Sequence, residues 1–192
     1  MLEIRFHGRG GQGTVLAAKM LADIVLRSGK GECMAIPEFG VERRGAPVLA
    51  YARISKEPIL IRTRIYEPNV VVVLDTNAAP GDTMVKGLKK GGVLLINTEH
   101  SQEELEKRWP DFNTAAIPAK KIALKHKLGT AASPVLNTAI IGAMCAQLDL
   151  VALGELEAAI RDAVPVKLDE NVAAAKEAYE YICARRNANA AA

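Results

Sequence analysis

Two short stretches hold most of the side chains equipped for chemistry. Residues 7–13 read HGRGGQG, with glycine at four of seven positions, His7 and Arg9 as titratable groups and Gln12 as a free amide. Gly8, Arg9, Gly10, Gly11, Gln12 and Gly13 satisfy the pattern G-x-G-x-x-G, between an apolar-alternating run and a helix-like one. Glycines permit positive φ and close backbone approach, and free N–H groups at a helix start attract an anion. Arg9 adds positive charge inside the turn. A tight strand-to-helix turn without a ligand is the other reading. His7 stays open between a catalytic role and a satisfied, partly buried histidine at the strand end.

The second stretch, PEFGVERRGAP at 37–47, places Glu38, Glu42, Arg43 and Arg44 among glycines and prolines. Arginine suits bidentate pairing with carboxylate or phosphate. A solvated loop with an internal Glu–Arg pair is the plainer alternative. In a βαβ fold this loop falls at the C-terminal edge of the sheet beside the glycine turn, where ligands and partner surfaces are met. A dinucleotide site also requires an acidic residue at the end of the second strand. Glu32 begins that segment and Glu38 follows Pro37 in a loop, so neither fits well. No Ser/His/Asp or Cys/His constellation stands out, and no catalytic residue is assigned.

The elements that must position these residues follow from periodicity. Residues 2–7 read as a first strand and 13–28 as a helix, with Val15, Leu16, Met20, Leu21, Ile24 and Val25 at helical spacing. Residues 32–36 suggest a second strand. VLAYARIS (48–55) and ILIRTRI (59–65) read as a hairpin about a KEP turn. NVVVVLD (69–75) reads as a strand buried on both faces, as in the centre of a parallel sheet. A helix around 80–90 and a strand VLLIN (93–97) follow, then a capping-box helix from Ser101 and Glu104. After Phe112 the pattern turns helical to the end. Asn137 or Thr138 is expected to cap the helix that follows, and Gly142 to mark close packing against a neighbour. Asp75-Thr76-Asn77, ending the valine strand, is open between a helix cap and a ligand contact. KKIALKHK (120–127) reads as a basic helix with a solvated face. The fold class expected is α/β, a Rossmann-like three-layer arrangement around a mostly parallel sheet, with a β-hairpin insertion and a helical C-terminal third. One domain is expected over residues 1–186, with a frayed tail at 187–192.

Composition narrows the function. The 192 residues are 49% hydrophobic and only 4% aromatic, which suits buried aliphatic strands. The formal net charge of +3 is mild and no aromatic platform accompanies the basic residues, so no nucleic-acid partner is expected. Cys33, Cys145 and Cys183 form no CxxC pair, which argues against a zinc site, a cluster or a disulfide framework in this chain. Glu3 and Arg5 break any early apolar run, and nothing approaches a membrane span of about 20 residues. A cytoplasmic protein with no membrane contact is the expectation.

HGRGGQG, PEFGVERRGAPVLAYARIS, NVVVVLD, GGVLLINT and SPVLNTAIIGAM, in that order, resemble the γ subunit of 2-oxoacid:ferredoxin oxidoreductases, of which the pyruvate enzyme is the best known. The resemblance spans residues 2 to about 185, and the conjunction of the first two motifs is what makes it specific. It implies a subunit of a larger enzyme with α, β and δ chains. In that family, thiamine diphosphate with Mg and [4Fe–4S] clusters sit in partner chains, and ferredoxin accepts the electrons. The substrate is a 2-oxoacid (pyruvate, 2-oxoglutarate, a branched-chain or an aryl acid) and coenzyme A is the usual cosubstrate. The isolated chain is expected to be inactive. Laid on the motifs, the resemblance implies that Gly8, Arg9, Gly10, Gly11, Gln12, Gly13, Arg43 and Arg44 contact coenzyme A or a partner chain. The rivals are a stand-alone NAD(P)-dependent dehydrogenase and a purely structural subunit.

Overall fold

The structure, a computed structural model, describes residues 1–38 and 45–190. Strand β1 (Leu2–Arg9) leads through the glycine turn into α1 (Thr14–Arg27), followed by β2 (Glu32–Pro37) and β3 (Pro47–Ser55). Then come β4 (Val70–Val73), a 3₁₀ turn at Gly81–Val85, β5 (Val93–Asn97), α2 (Gln102–Arg108), β6 (Asn113–Ile117) and α3 (Ala119–Lys125). A two-residue ladder of β7 (Gly129–Thr130) and β8 (Ser133–Pro134) precedes α4 (Asn137–Gln147), α5 (Leu153–Ala163) and α6 (Leu168–Ala190). The main sheet has the order β2-β3-β1-β4-β5-β6. β1, β4, β5 and β6 run parallel; β3 is antiparallel to both of its neighbours.

Alternation along the strands divides the sheet into two chemically different faces. Ile4 and Phe6 of β1, with Ala50, Ala52, Val70, Val72, Leu95 and Ile117, pack against α1 and α4 in the larger core. Val71, Val73, Leu94 and Ile96 point the other way and are covered by Met84, Leu105 and Trp109. Helix α4 is buried from Asn137 to Ala146, because α6 closes over it. A Cβ at Gly142 would lie 2.1 Å from the Ala175 carbonyl oxygen of α6, so the expected close packing is present and its neighbour is within the chain.

Four local expectations are corrected. The antiparallel pair is there, but β3 pairs with β2 and with β1; residues 59–65 form no strand. Their carbonyls are claimed by a side chain instead, since the Arg53 guanidinium donates to Ile61 O and Thr63 O. Secondly, residues 113–117 are the edge strand β6 and not helix. Pairing beside β5 overrides the weak strand preference of two alanines. The third concerns α4, which begins after Leu136 with no side-chain cap. Asn137 Nδ2 faces Met20 Sδ, and the Thr138 hydroxyl donates to Asn171 Oδ1 of α6. The helix expected around 80–90 shortens to the 3₁₀ turn. The capping box at Ser101 is formed, with Ser101 N–H donating to Glu104 Oε2 and Glu104 N–H to Ser101 Oγ.

Candidate functional site

The glycine turn lies at the C-terminal edge of the parallel strands, where the order passes from β1 to β4. Gly11 and Gly13 have φ of +93° and +82°, a region that L side chains rarely adopt. A Cβ at Gly8 would fall 2.1 Å from Thr14 Oγ1. These glycines bring the backbone against α1, whose first N–H groups have no intrahelical acceptor. Gly10 N–H donates to Ala46 O at 3.0 Å, and Gly45 N–H returns to Gly10 O at 3.2 Å. The two sequence motifs therefore meet at the turn. Arg43 and Arg44 lie outside the described residues.

Arg9 and Gln12 are engaged within the chain. Gln12 Oε1 accepts from Arg9 N–H at 2.9 Å, and its Nε2 donates to Asp75 Oδ2 at 2.8 Å. Asp75 closes an Asx turn with its other oxygen, which accepts from Asn77 N–H. Arg9 Nε stands 3.4 Å from the same Asp75 oxygen, close enough for charge attraction but without hydrogen-bond alignment. Asp75 thus braces the turn from the end of β4, a role read from sequence only as a cap or a contact. It caps no helix, because the next helical turn begins only after Pro80.

A cleft of about 760 Å³ opens on the α1 side of the turn, lined by Arg9, Gly10, Gly13, Thr14, Lys19 and Asn137 among others. Among the described residues, Arg9 Nε, Thr14 Oγ1 and Asn137 Oδ1 are buried side-chain atoms without a hydrogen-bond partner. Their residues line this one cleft. Thr14 and Asn137 are 2% and 3% exposed. Buried polar groups are normally satisfied, so three orphans in one place are informative. A second, more polar cleft of about 280 Å³ lies across Gln12 and Asp75, with Asn97, Lys120 and Lys121 on its wall. Asn97 is engaged, donating to Leu74 O and accepting from Lys120 N–H. Thr14 and Asn137 carried little signal as a ligand pair in the sequence, because only the fold joins positions 123 residues apart.

His7 sits on the opposite face of β1 from α1 and is buried. Its Nε2 accepts from Arg5 Nε at 2.9 Å. Burial first, and the Arg5 charge second, push the imidazole pKa down to about 4. His7 is neutral at physiological pH. Glu38, the acidic residue weighed for a ribose, instead accepts from Tyr51 Oη at 2.5 Å and pairs with Arg64 at 2.6 Å. Among the described residues no three His, Cys, Asp or Glu side chains converge as metal ligands. No described helix is long and apolar enough to cross a membrane.

The site is therefore that of an open-sheet α/β protein, with a glycine turn, an orphan-lined cleft and an antiparallel strand inserted where a dinucleotide fold has its second parallel strand. The chain belongs to the pyruvate ferredoxin/flavodoxin oxidoreductase family, which it matches over residues 3–181. The pyruvate/ketoisovalerate oxidoreductases common subunit gamma of Pyrococcus abyssi is 49% identical over 184 residues, covering 94% of this chain and 96% of its own. The crystal structure of pyruvate oxidoreductase subunit PORC (EC 1.2.7.1) from Thermotoga maritima is 34% identical, with a TM-score of 0.76 over 93% of this chain and 95% of that one. The 2-oxoglutarate:ferredoxin oxidoreductase from Magnetococcus marinus, solved with 2-oxoglutarate, coenzyme A and succinyl-CoA bound, shares the fold. It has a TM-score of 0.73 at 18% identity, over 96% of this chain and 31% of its own. Within its family this is a γ-type chain, a subunit of a 2-oxoacid oxidoreductase.

Proposed function

We propose that the chain serves a cytoplasmic 2-oxoacid:ferredoxin oxidoreductase by packing on the thiamine-binding chains and lending its glycine turn to coenzyme A. In this reading α, β and δ chains hold thiamine diphosphate, Mg and the [4Fe–4S] clusters, and ferredoxin takes the electrons. The observation that carries it is the pair of buried atoms without a described partner, Thr14 Oγ1 and Asn137 Oδ1, on residues that line the cleft at the start of α1, with Arg9, held by Asp75, on the same wall. Arg9 and Thr14 would donate to a phosphate, joined by backbone N–H groups of the first helical turn. Asn137 Oδ1 accepts, so it asks for a hydroxyl. Coenzyme A carries phosphates and hydroxyls side by side and can meet both demands. Arg43 and Arg44 would add charge from the adjoining loop.

Two features weigh against the dehydrogenase reading. β1 has antiparallel β3 as its neighbour, so no parallel second strand presents a carboxylate to a ribose. Glu38 is already engaged by Tyr51 and Arg64. The test is Thr14→Val in the assembled enzyme. Loss of one hydrogen bond to a charged phosphate, about 1.5–3 kcal/mol, should raise the KM for coenzyme A roughly 12- to 160-fold with kcat held. The free variant chain should melt no lower than the parent, because an unpaired hydroxyl has been removed. An unchanged KM would sink the coenzyme A role. Tight binding of NAD or NADP to the isolated chain would revive the dehydrogenase.

A further inference from the structure

The β1–β3–β2 half of the sheet has a second face, carrying Arg5 and His7 of β1, Leu49, Tyr51 and Arg53 of β3, and Met34 and Ile36 of β2. Among the described residues no helix covers it; only the segment at 60–66 and the end of the 3₁₀ turn lie across it. Those elements leave a pocket of about 290 Å³ bounded by Arg5, His7, Glu38, Tyr51, Arg64 and Lys86.

Among the described residues the charges in this pocket do not balance. Arg5 is 8% exposed and donates to His7 Nε2, Met84 O and Lys86 O, all of them neutral acceptors. No described carboxylate pairs with it. A buried guanidinium without a counter-charge is expensive. Arg5 fixes His7 Nε2 as an acceptor, so the ring proton is on Nδ1, which finds no acceptor among the described residues. Lys86 likewise has no described acidic partner. Glu38, the one described carboxylate that lines the pocket, has an oxygen committed to Tyr51 and an oxygen committed to Arg64. The segment that crosses this face leaves Leu60 87%, Ile61 50% and Tyr66 73% exposed, and Tyr66 lines the pocket. A buried arginine flanked by exposed apolar side chains matches the anatomy of a protein interface.

We infer that this face docks a neighbouring subunit of the oxidoreductase, and that an aspartate or glutamate of that subunit enters the pocket to pair with Arg5, His7 and Lys86. The inference rests on the multi-subunit reading above. It is separate from the glycine-turn cleft, which lies on the α1 side of the sheet. Met34, Ile36 and Leu49, all half-buried here, would extend the apolar contact.

The test uses the enzyme as assembled in its source cells, treated with a carbodiimide that joins amine to carboxylate without a spacer. Mass spectrometry of the digest should show Lys86 linked to an acidic residue of another oxidoreductase chain. A second readout is Tyr66→Glu, which sets a carboxylate at the pocket rim. That variant should fold with unaltered circular dichroism, yet its retention by the other chains should drop at least about tenfold. Lys86 linked only within its own chain, to Glu38 or Glu42, would overturn the inference. So would a link to a second copy of this chain, or a Tyr66→Glu variant that assembles like the parent. If the unmodified chain co-purifies with no oxidoreductase chain, the multi-subunit reading fails, and this inference with it.

Discussion

The contact between α4 and α6 offers a stringent test of the packing. Consider Gly142→Ala, the smallest change available. The new methyl would lie 2.1 Å from Ala175 O and 2.8 Å from Ala175 C, against 3.4 Å or more for an ordinary contact. The shortfall at the oxygen is about 1.3 Å, and the obstacle is backbone, so no rotamer change relieves it. Both helices are buried there, with Ala139, Ala143, Ala174 and Ala178 at 0–1% exposure, leaving no slack. Overpacking of this kind costs about 3 kcal/mol, and alanine's better helix propensity returns about 1 kcal/mol. The net loss is about 2 kcal/mol, which for a chain of this length lowers Tm by about 4–8 °C. Thermal unfolding by circular dichroism reads it directly. Gly154→Ala in α5, where a Cβ meets nothing within 4 Å, is the control and should leave Tm level or slightly raised. An unchanged or higher Tm for Gly142→Ala would refute the close-approach argument.

Two further outcomes are expected. Stability should depend on His7: its folded pKa of about 4 is below the ordinary 6.5, so the unfolded chain binds the extra proton between those values. Stability is then full above pH 6.5 and falls by roughly 3 kcal/mol as pH drops toward 4; urea titrations of His7→Gln should lack that slope. Burial pushes the Cys33 and Cys145 thiols up to about 12, so neither should be alkylated at pH 8 until the chain is unfolded, as a timed iodoacetamide reaction would show.

Much of the fold was legible because local periodicity and burial agree. The valine run at 70–73, VLLIN at 93–97 and the helix after Gly13 formed as their patterns dictate. Misreadings arose where a tertiary partner outweighed local preference. Residues 59–65 look like a strand, yet the Arg53 guanidinium takes two of their carbonyls. Asn113–Ile117 looks like helix, yet β5 offers it a ladder. Asn137 looks like a cap, yet it is drawn into the core beside Gly13 and Met20.

The sequence alone determined that four glycines and an arginine would form a turn between β1 and α1, since φ preference and N–H exposure are local properties. Its ordered motifs also sufficed to place the chain in its family. Only the tertiary structure decided what those side chains face. It tied Gln12 to Asp75 from a strand 63 residues away, left Thr14 Oγ1 and Asn137 Oδ1 without a described partner, and enclosed Arg5 with no described carboxylate. Hydrogen bonding and charge compensation are settled between residues distant in the chain, at separations that no local pattern encodes.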